Sequence, residues 1–234
     1  MNYGPKIVTS GLVAHVNAAD RKSYPGTNNT WFDLSGNNLH ATINNSPSFS
    51  GTNGGIFTID TDTSNKYFSF PVSSLLNFQS SNFTFCLFWK PGSFITGAGQ
   101  YIVLDLATSY RMGYSQNDFG QYLLTFQTYT GGVYTATKTA DYRAYYNIWH
   151  MTTFVRNGTS AKIYVNTTDV TNVAGTHSNP QSQTTYGLTL ATNYNIAYTT
   201  VCNGDYSAFM AYNRALSVAE ITQNFNAYRG RFSL

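Results

Sequence analysis

Apolar residues in this chain fall at every second position far more often than at helical spacing. The clearest case is "NFTFCLFWKP", residues 82–91, where Phe83, Phe85, Leu87 and Trp89 share one parity. Cys86 and Phe88 make the other parity apolar too. Such a strand is expected at the centre of a layered structure, with both faces covered. "GLVAHVN" (11–17), "GGIFTID" (54–60), "KYFSFP" (66–71), "YIVLDLA" (101–107), "YLLTFQTYT" (122–130) and "GVYTATK" (132–138) read as further strands. "YNIWHMTTFVRNGTSAKIYVNTT" (146–168) reads as two strands turning at Asn157-Gly158, a pair that tolerates positive φ. "TYGLTLA" (185–191), "NIAYTT" (195–200) and "YSAFMAYN" (206–213) complete the set. Strands this short, separated by Gly, Pro, Asn and Ser, predict one all-β sandwich rather than alternating strands and helices.

Helical spacing stands out once, at the end. Ser217 and Glu220, the chain's single glutamate, form a capping-box pair. Ile221, Phe225 and Tyr228 then form an apolar stripe that Val218 extends. Gly230 is expected to end the helix in a left-handed conformation, between Arg229 and Arg231. Glu220 is thereby assigned to capping rather than to catalysis.

Composition supports a packed core: 42 % of the 234 residues are hydrophobic, including 19 Tyr and 16 Phe. The formal charge is +3, but the 13 basic residues are scattered, which argues against a nucleic-acid partner. No stretch approaches the roughly 20 apolar residues of a membrane-spanning helix, and residues 1–19 lack the pattern of a secretory leader. Cys86 and Cys202 lie too far apart for zinc spacing and are expected as buried free thiols, with a disulfide left open.

Candidate chemistry is sparse. Glycoside hydrolysis calls for two carboxylates across the bond, and no strand carries closely spaced acids. His15, His40, His150 and His177 share no ligand spacing, and His15 and His150 are expected to be packed or paired within strands. For calcium, which takes oxygen ligands, the turn residues Asp60, Asp62 and Asn65 and the pair Asn203 and Asp205 are candidates, against an ordinary turn role. For glycan stacking the candidates are the turn aromatics Tyr24, Trp31, Tyr110, Tyr114 and Tyr194.

Two long segments carry a resemblance. "GDYSAFMAYNRALSVAEITQNFNAYRGRF" (204–232) and "GLVAHVNAADRKSYPGTNNTWFDLSGNNLHAT" (11–42) resemble the end and the opening of laminin-G-like, concanavalin A-like domains of bacteriophage structural proteins. "GGIFTID", "FTFCLFWKP" and "IWHMTTFVRNGTSAKIYVN" follow in matching order. The resemblance implies a two-sheet antiparallel jelly-roll sandwich with the final helix at its edge. It also implies that Trp31, Asp33, Ser35, Gly36, Asp205 and Asn213 brace loops. Members often bind glycans or serve in adhesion and assembly, sometimes with calcium. The chain departs from the pattern at Asn17, where an aspartate is common, and at Thr61 and Thr167, where glycines are common.

The expectation is therefore a single domain over residues 1–234, with 1–10 and 230–234 as contact arms. It is expected to be non-enzymatic and to sit on a phage particle, as a capsid decoration, cement or accessory protein. Its partners would be other virion proteins or further copies of itself, with no required cofactor. A carbohydrate-binding attachment module is the alternative, and a glycan-degrading enzyme the third.

Overall fold

The computed structural model describes residues 6–60, 65–93, 101–116, 120–195 and 200–234. Its strands are β1 (Leu12–Asn17), β2 (Thr30–Trp31), β3 (Ala41–Asn44), β4 (Ser48–Ser50), β5 (Ile56–Ile59), β6 (Tyr67–Ser69), β7 (Phe83–Pro91), β8 (Tyr101–Leu106) and β9 (Tyr110–Gln116). They continue with β10 (Tyr122–Thr130), β11 (Val133–Asp141), β12 (His150–Asn157), β13 (Ser160–Val165), β14 (Thr168–Asp169), β15 (Thr171–Val173), β16 (Thr189–Leu190) and β17 (Gly204–Tyr212). An α-helix follows, α1 (Val218–Tyr228).

The strands form two antiparallel sheets. An eight-stranded sheet runs β14-β13-β12-β7-β17-β5-β4, with β1 also paired to β17. A nine-stranded sheet runs β15-β11-β10-β9-β8-β16-β6-β3-β2. Between them lies an aromatic core. Phe83, Phe85, Leu87 and Trp89 of β7 meet Tyr110, Met112 and Tyr114 of β9 and Leu124 and Phe126 of β10. The two-faced pattern of β7 has its cause in α1. Cys86 and Phe88 look away from the sandwich core into a second cluster with Ile221, Phe225, Tyr228 and Phe232. The helix thus lies across the outer face of the eight-stranded sheet, not at its edge, because an apolar stripe needs an apolar surface and the sheet offers one there. Among the described residues, no helix is long and apolar enough to cross a membrane.

The end of the helix differs from expectation. Gly230 does not adopt a left-handed conformation; the chain tightens into a 3₁₀ turn at Arg229–Phe232, and Ser233 takes φ 58°. Continuing the turn lets Phe232 stack on Trp149 at 4.3 Å and approach Phe88 at 5.6 Å. Arg231 donates to the carbonyls of Asn53 and Gly55, to Asn17 Oδ1 and to Ser207 Oγ. At the other end, the Val8 N–H donates to Asn224 Oδ1, and the Val8 carbonyl accepts from the Tyr212 hydroxyl. Val8 and Arg231 thus tie both ends of the chain to its own sandwich; residues 1–5 lie outside the described residues. Val218 is exposed and takes no part in the stripe.

Two turns also shift. The β12–β13 hairpin turns at Gly158-Thr159, with Asn157 paired to Ser160 and positive φ at Gly158 alone. After β13, Asn166 supplies the positive φ, which is how Thr167 is tolerated where glycine is usual. Cys86 and Cys202 are buried free thiols, held neutral by burial, which pushes Cys86 up to about 11 and Cys202 higher still. Most of "NIAYTT" lies outside the described residues.

Candidate functional site: a tyrosine-rimmed cleft

Alternation along β8 to β11 decides what faces solvent on the nine-stranded sheet. With Tyr110, Met112, Tyr114, Leu124 and Phe126 turned into the core, Arg111, Gln127 and Tyr129 are left for the outer face. Register then sets their neighbours. Asp105 pairs across from Arg111, Arg111 from Gln127, and Tyr129 from Tyr134. These residues line a cleft of about 260 Å³, together with Thr108, Ser109, Tyr110 and Tyr194.

Asp105 is the anchor of the cleft. Its side chain is buried, and Arg111 grips it side-on, Nε to Oδ1 at 3.0 Å and Nη2 to Oδ2 at 3.1 Å. The Tyr194 backbone N–H donates to Oδ2 at 2.9 Å, which pins the loop carrying Tyr194 beside the sheet. The Tyr194 ring packs against Tyr186, with centroids 5.0 Å apart. Tyr134 is 60 % exposed, more than any other aromatic side chain among the described residues. A wall of phenol rings around hydroxyl, amide and paired ionic groups offers apolar faces and directional hydrogen bonds at one place.

Of the five aromatics expected on turns, only Tyr194 reaches this surface as a usable ring. Tyr110 lies against the cleft wall, but its ring is in the core and its hydroxyl donates to the Leu76 carbonyl at 2.6 Å. Tyr114 is buried beside Trp89 and Tyr142, and burial drives its phenol well above the usual range. Trp31 is buried against Phe57 and Phe68, and Tyr24 against Phe49 and Phe57. The physical reason is common to all four. An aromatic ring on a short connection gains more by closing the core than by standing in water.

The metal candidates are also engaged otherwise. Asp60 is held by Lys66 at 2.7 Å. Asp205 pairs with Lys90 at 2.7 Å and accepts from Thr58 Oγ1 at 2.6 Å. Asn203 donates to the Ser93 carbonyl, the Asn65 carbonyl accepts from Asn45 Nδ2, and Asp62 lies outside the described residues. Among the described residues, no three His, Cys, Asp or Glu side chains cluster for a metal.

The loop-bracing set serves the fold rather than the cleft. Asp33 accepts from the backbone N–H groups of His15, Ser35 and Leu39, while Ser35 Oγ reaches both Asp33 Oδ2 and the Val13 carbonyl. Gly36 takes φ 93°, and the Asn213 N–H donates to the Gly11 carbonyl. At the head of α1, the Ser217 hydroxyl accepts from the Glu220 N–H, and the Glu220 carboxylate accepts from the Ser217 N–H. Arg214 also holds that carboxylate, and with the cap lowers its pKa to about 2.

A second groove of about 280 Å³ lies at the far end of β11, lined by residues 139–142, Tyr145 and residues 170–172. Among these, the one carboxylate, Asp141, is tied to Arg143.

Comparisons with known structures agree with this architecture. The binding domain of Paraclostridial Mosquitocidal Protein 1 superposes with TM-score 0.63 at 15 % identity, over 93 % of this chain and 52 % of that one. The binding domain of Botulinum Neurotoxin DC, in complex with SialylT, superposes with TM-score 0.71 at 13 % identity, over 94 % and 52 %. This chain thus spans about half the length of either toxin domain. Domain 4 of AbnA, a GH43 extracellular arabinanase from Geobacillus stearothermophilus, in complex with arabinotriose, superposes with TM-score 0.63 at 15 % identity, over 92 % and 98 %. A search of the curated proteins found no match. The family model of the Concanavalin A-like lectin/glucanases superfamily matches residues 62–222. With two antiparallel sheets, one short C-terminal helix and that match over more than half its length, the chain belongs to the Concanavalin A-like lectin/glucanases superfamily.

Proposed function

We propose that this chain is a non-catalytic saccharide-recognition module whose binding site is the outer-face cleft. The observation that carries the reading is the ring of Tyr129, Tyr134 and Tyr194 around the Asp105–Arg111 pair. Phenol faces suit the C–H surface of a sugar ring, and the hydroxyl and amide groups beside them suit its hydroxyls. The named ligands of two structural neighbours, SialylT and arabinotriose, lend the fold a precedent for carbohydrate. A non-catalytic role is supported by the cleft's acid count. Asp105 is the one carboxylate among its described lining residues and is already gripped by Arg111, whereas hydrolysis calls for two carboxylates flanking the bond. In this reading recognition runs without a metal.

The setting we propose is the surface of a phage particle, where the domain would serve as an accessory or decoration protein. The support is the resemblance of residues 11–42 and 204–232 to phage structural proteins. Mass spectrometry of purified particles tests the setting, and absence of the chain from them would overturn it.

Truncating Tyr134 tests the binding reading. The side chain is 60 % exposed, so Tyr134→Ala should leave the folding stability within about 0.5 kcal/mol of wild type. An aromatic contact at the centre of a site costs about 1.4 kcal/mol or more on truncation, which is about a tenfold loss in affinity. Calorimetric titration with oligosaccharides that score on a glycan array measures it. Unchanged affinity would remove the cleft from the account.

A further inference from the structure

One exposed ring beside the cleft has no part in its lining. Among the described residues three aromatic side chains are exposed: Phe49, Tyr134 and Tyr186. Phe49 belongs to β4 on the other sheet, where it packs on Tyr24 and Phe57. The other two come together at the cleft. Tyr134 lines it, and Tyr186, 45 % exposed, packs its ring on the lining residue Tyr194 with centroids 5.0 Å apart. A single exposed aromatic needs no explanation on a protein surface, but a group of them around one opening marks a place for a ligand.

The chain around Tyr186 is fixed on both sides. Before it stands Gln183, whose buried Oε1 accepts from the Thr185 and Tyr186 N–H groups at 2.7 and 3.1 Å. Gln183 Nε2 donates to the Ala107 carbonyl at 3.2 Å and to Thr108 Oγ1 at 3.4 Å, and Thr108 lines the cleft. A carboxamide engaged at both donor and acceptor thus ties Tyr186 to the β8–β9 turn that forms the cleft wall. After it, the Phe70 N–H donates to the Leu188 carbonyl at 2.8 Å, and a Cβ on Gly187 would stand 1.9 Å from the Phe70 carbonyl oxygen. Only glycine permits so close an approach. Tyr194 is held as well, through its N–H on Asp105. Both rings sit on backbone that is ordered before a ligand arrives, which lowers the entropic cost of binding.

Size points the same way. The cleft's volume of about 260 Å³ is below the roughly 300–1,000 Å³ of pockets that enclose a drug-sized ligand. A chain of several sugar rings would continue outside it, and Tyr186 is the exposed aromatic surface adjoining it. Successive sugar rings each present a C–H face, so a chain can use neighbouring tyrosines that a single sugar would leave idle.

We propose, on the saccharide reading of the cleft, that Tyr186 is a second contact subsite and that the ligand is an oligosaccharide chain longer than a disaccharide. The test is calorimetric titration of wild type, Tyr186→Ala and Tyr134→Ala with ladders of cello-, manno- and arabino-oligosaccharides of two to six units. Within a ladder that binds, affinity should rise with length by at least about fivefold and then level off, as one more aromatic contact comes into use. Tyr186→Ala should lose that rise yet keep wild-type affinity for the shortest member that binds. Because Tyr186 is exposed, this variant should melt close to the wild-type temperature. Tyr134→Ala should weaken every member. Affinity independent of length in wild type, an undiminished rise in Tyr186→Ala, or an equal loss at every length in that variant overturns the subsite. Each leaves the saccharide reading standing if Tyr134→Ala still weakens binding. Failure of every ladder to bind, or full affinity in Tyr134→Ala, overturns both.

Discussion

Acidification from pH 7 to pH 4 is expected to unfold this protein, and the cause is three buried histidines rather than its carboxylates. His15, His150 and His177 are each buried and each held neutral, with pKa lowered from 6.5 to about 4. Desolvation is the largest cause for all three; for His177 the Arg156 charge adds to it, while for His15 Asp33 and Asp20 work against it. Their partners are arranged for the neutral ring. His177 sits between Thr128 Oγ1 and Thr137 Oγ1 at 2.9 and 2.8 Å. His150 lies between the Ile148 carbonyl and the Tyr142 hydroxyl, and His15 Nε2 meets the Tyr228 hydroxyl at 2.6 Å.

The sign follows from proton counting. As pH falls below 6.5 the unfolded chain takes up protons at these rings, whereas the folded chain does not until about pH 4. Stability is therefore full above about pH 6.5 and drains away towards pH 4. A ring whose proton affinity falls tenfold on folding withdraws about 1.4 kcal/mol once the pH drops below its folded pKa. Three such rings, each lowered by more than tenfold, together reach the scale of a whole domain's stability, about 5–15 kcal/mol. Glu220 contributes only lower down. Its pKa is lowered from 4.5 to about 2 by Arg214 and the cap, so its share is lost below about pH 4.5. Urea midpoints at pH 7, 6, 5 and 4 check this, and a midpoint flat from pH 7 to 5 would contradict it.

Phe88→Ala should cost about 3–5 kcal/mol, the usual range for a buried aromatic truncated in a packed core. Phe88 is fully buried, with Tyr228 at 4.9 Å, Phe232 at 5.6 Å and Phe225 at 6.2 Å between ring centroids. An 11-residue helix is too short to persist alone in water, so α1 depends on this contact. The loss would spread to the N-terminal segment, since Gln223 donates to the Lys6 carbonyl and Asn224 accepts from Val8. The sandwich core is a separate cluster on the other face of β7. Amide hydrogen exchange should therefore show α1 losing protection ahead of the β7–β12 ladder. A cost under about 1 kcal/mol, well below the range for such truncations, or loss of both regions together, would contradict this picture.

The fold was legible wherever alternation ran long. β7, β10, β12 and β17 announce themselves because each buries at least one full face, and the Ser217–Glu220 pair announces α1 because capping chemistry is local. β9 hid for a different reason. Tyr110, Met112 and Tyr114 share one parity, but Arg111 and Gly113 between them resemble a loop, and tyrosine suits turn and core alike. That parity was the signal that could have placed both tyrosines in the core. The two- to four-residue strands β2, β3 and β4 exist through tertiary pairing, which no local pattern records. The cleft was illegible as a set. Asp105, Arg111, Gln127, Tyr134 and Tyr194 meet through sheet register and one loop contact, and register depends on pairing across the sheet rather than on spacing along the chain.

The cleft and the second groove both lie along β11, one at each end, while α1 covers the opposite sheet. Amide chemical-shift mapping during titration with a binding oligosaccharide distinguishes them in one experiment. Shifts centred on Thr108, Ser109, Tyr129, Tyr134 and Tyr194 are the predicted result. Shifts centred on α1 or on residues 139–145, with the cleft silent, would contradict the account.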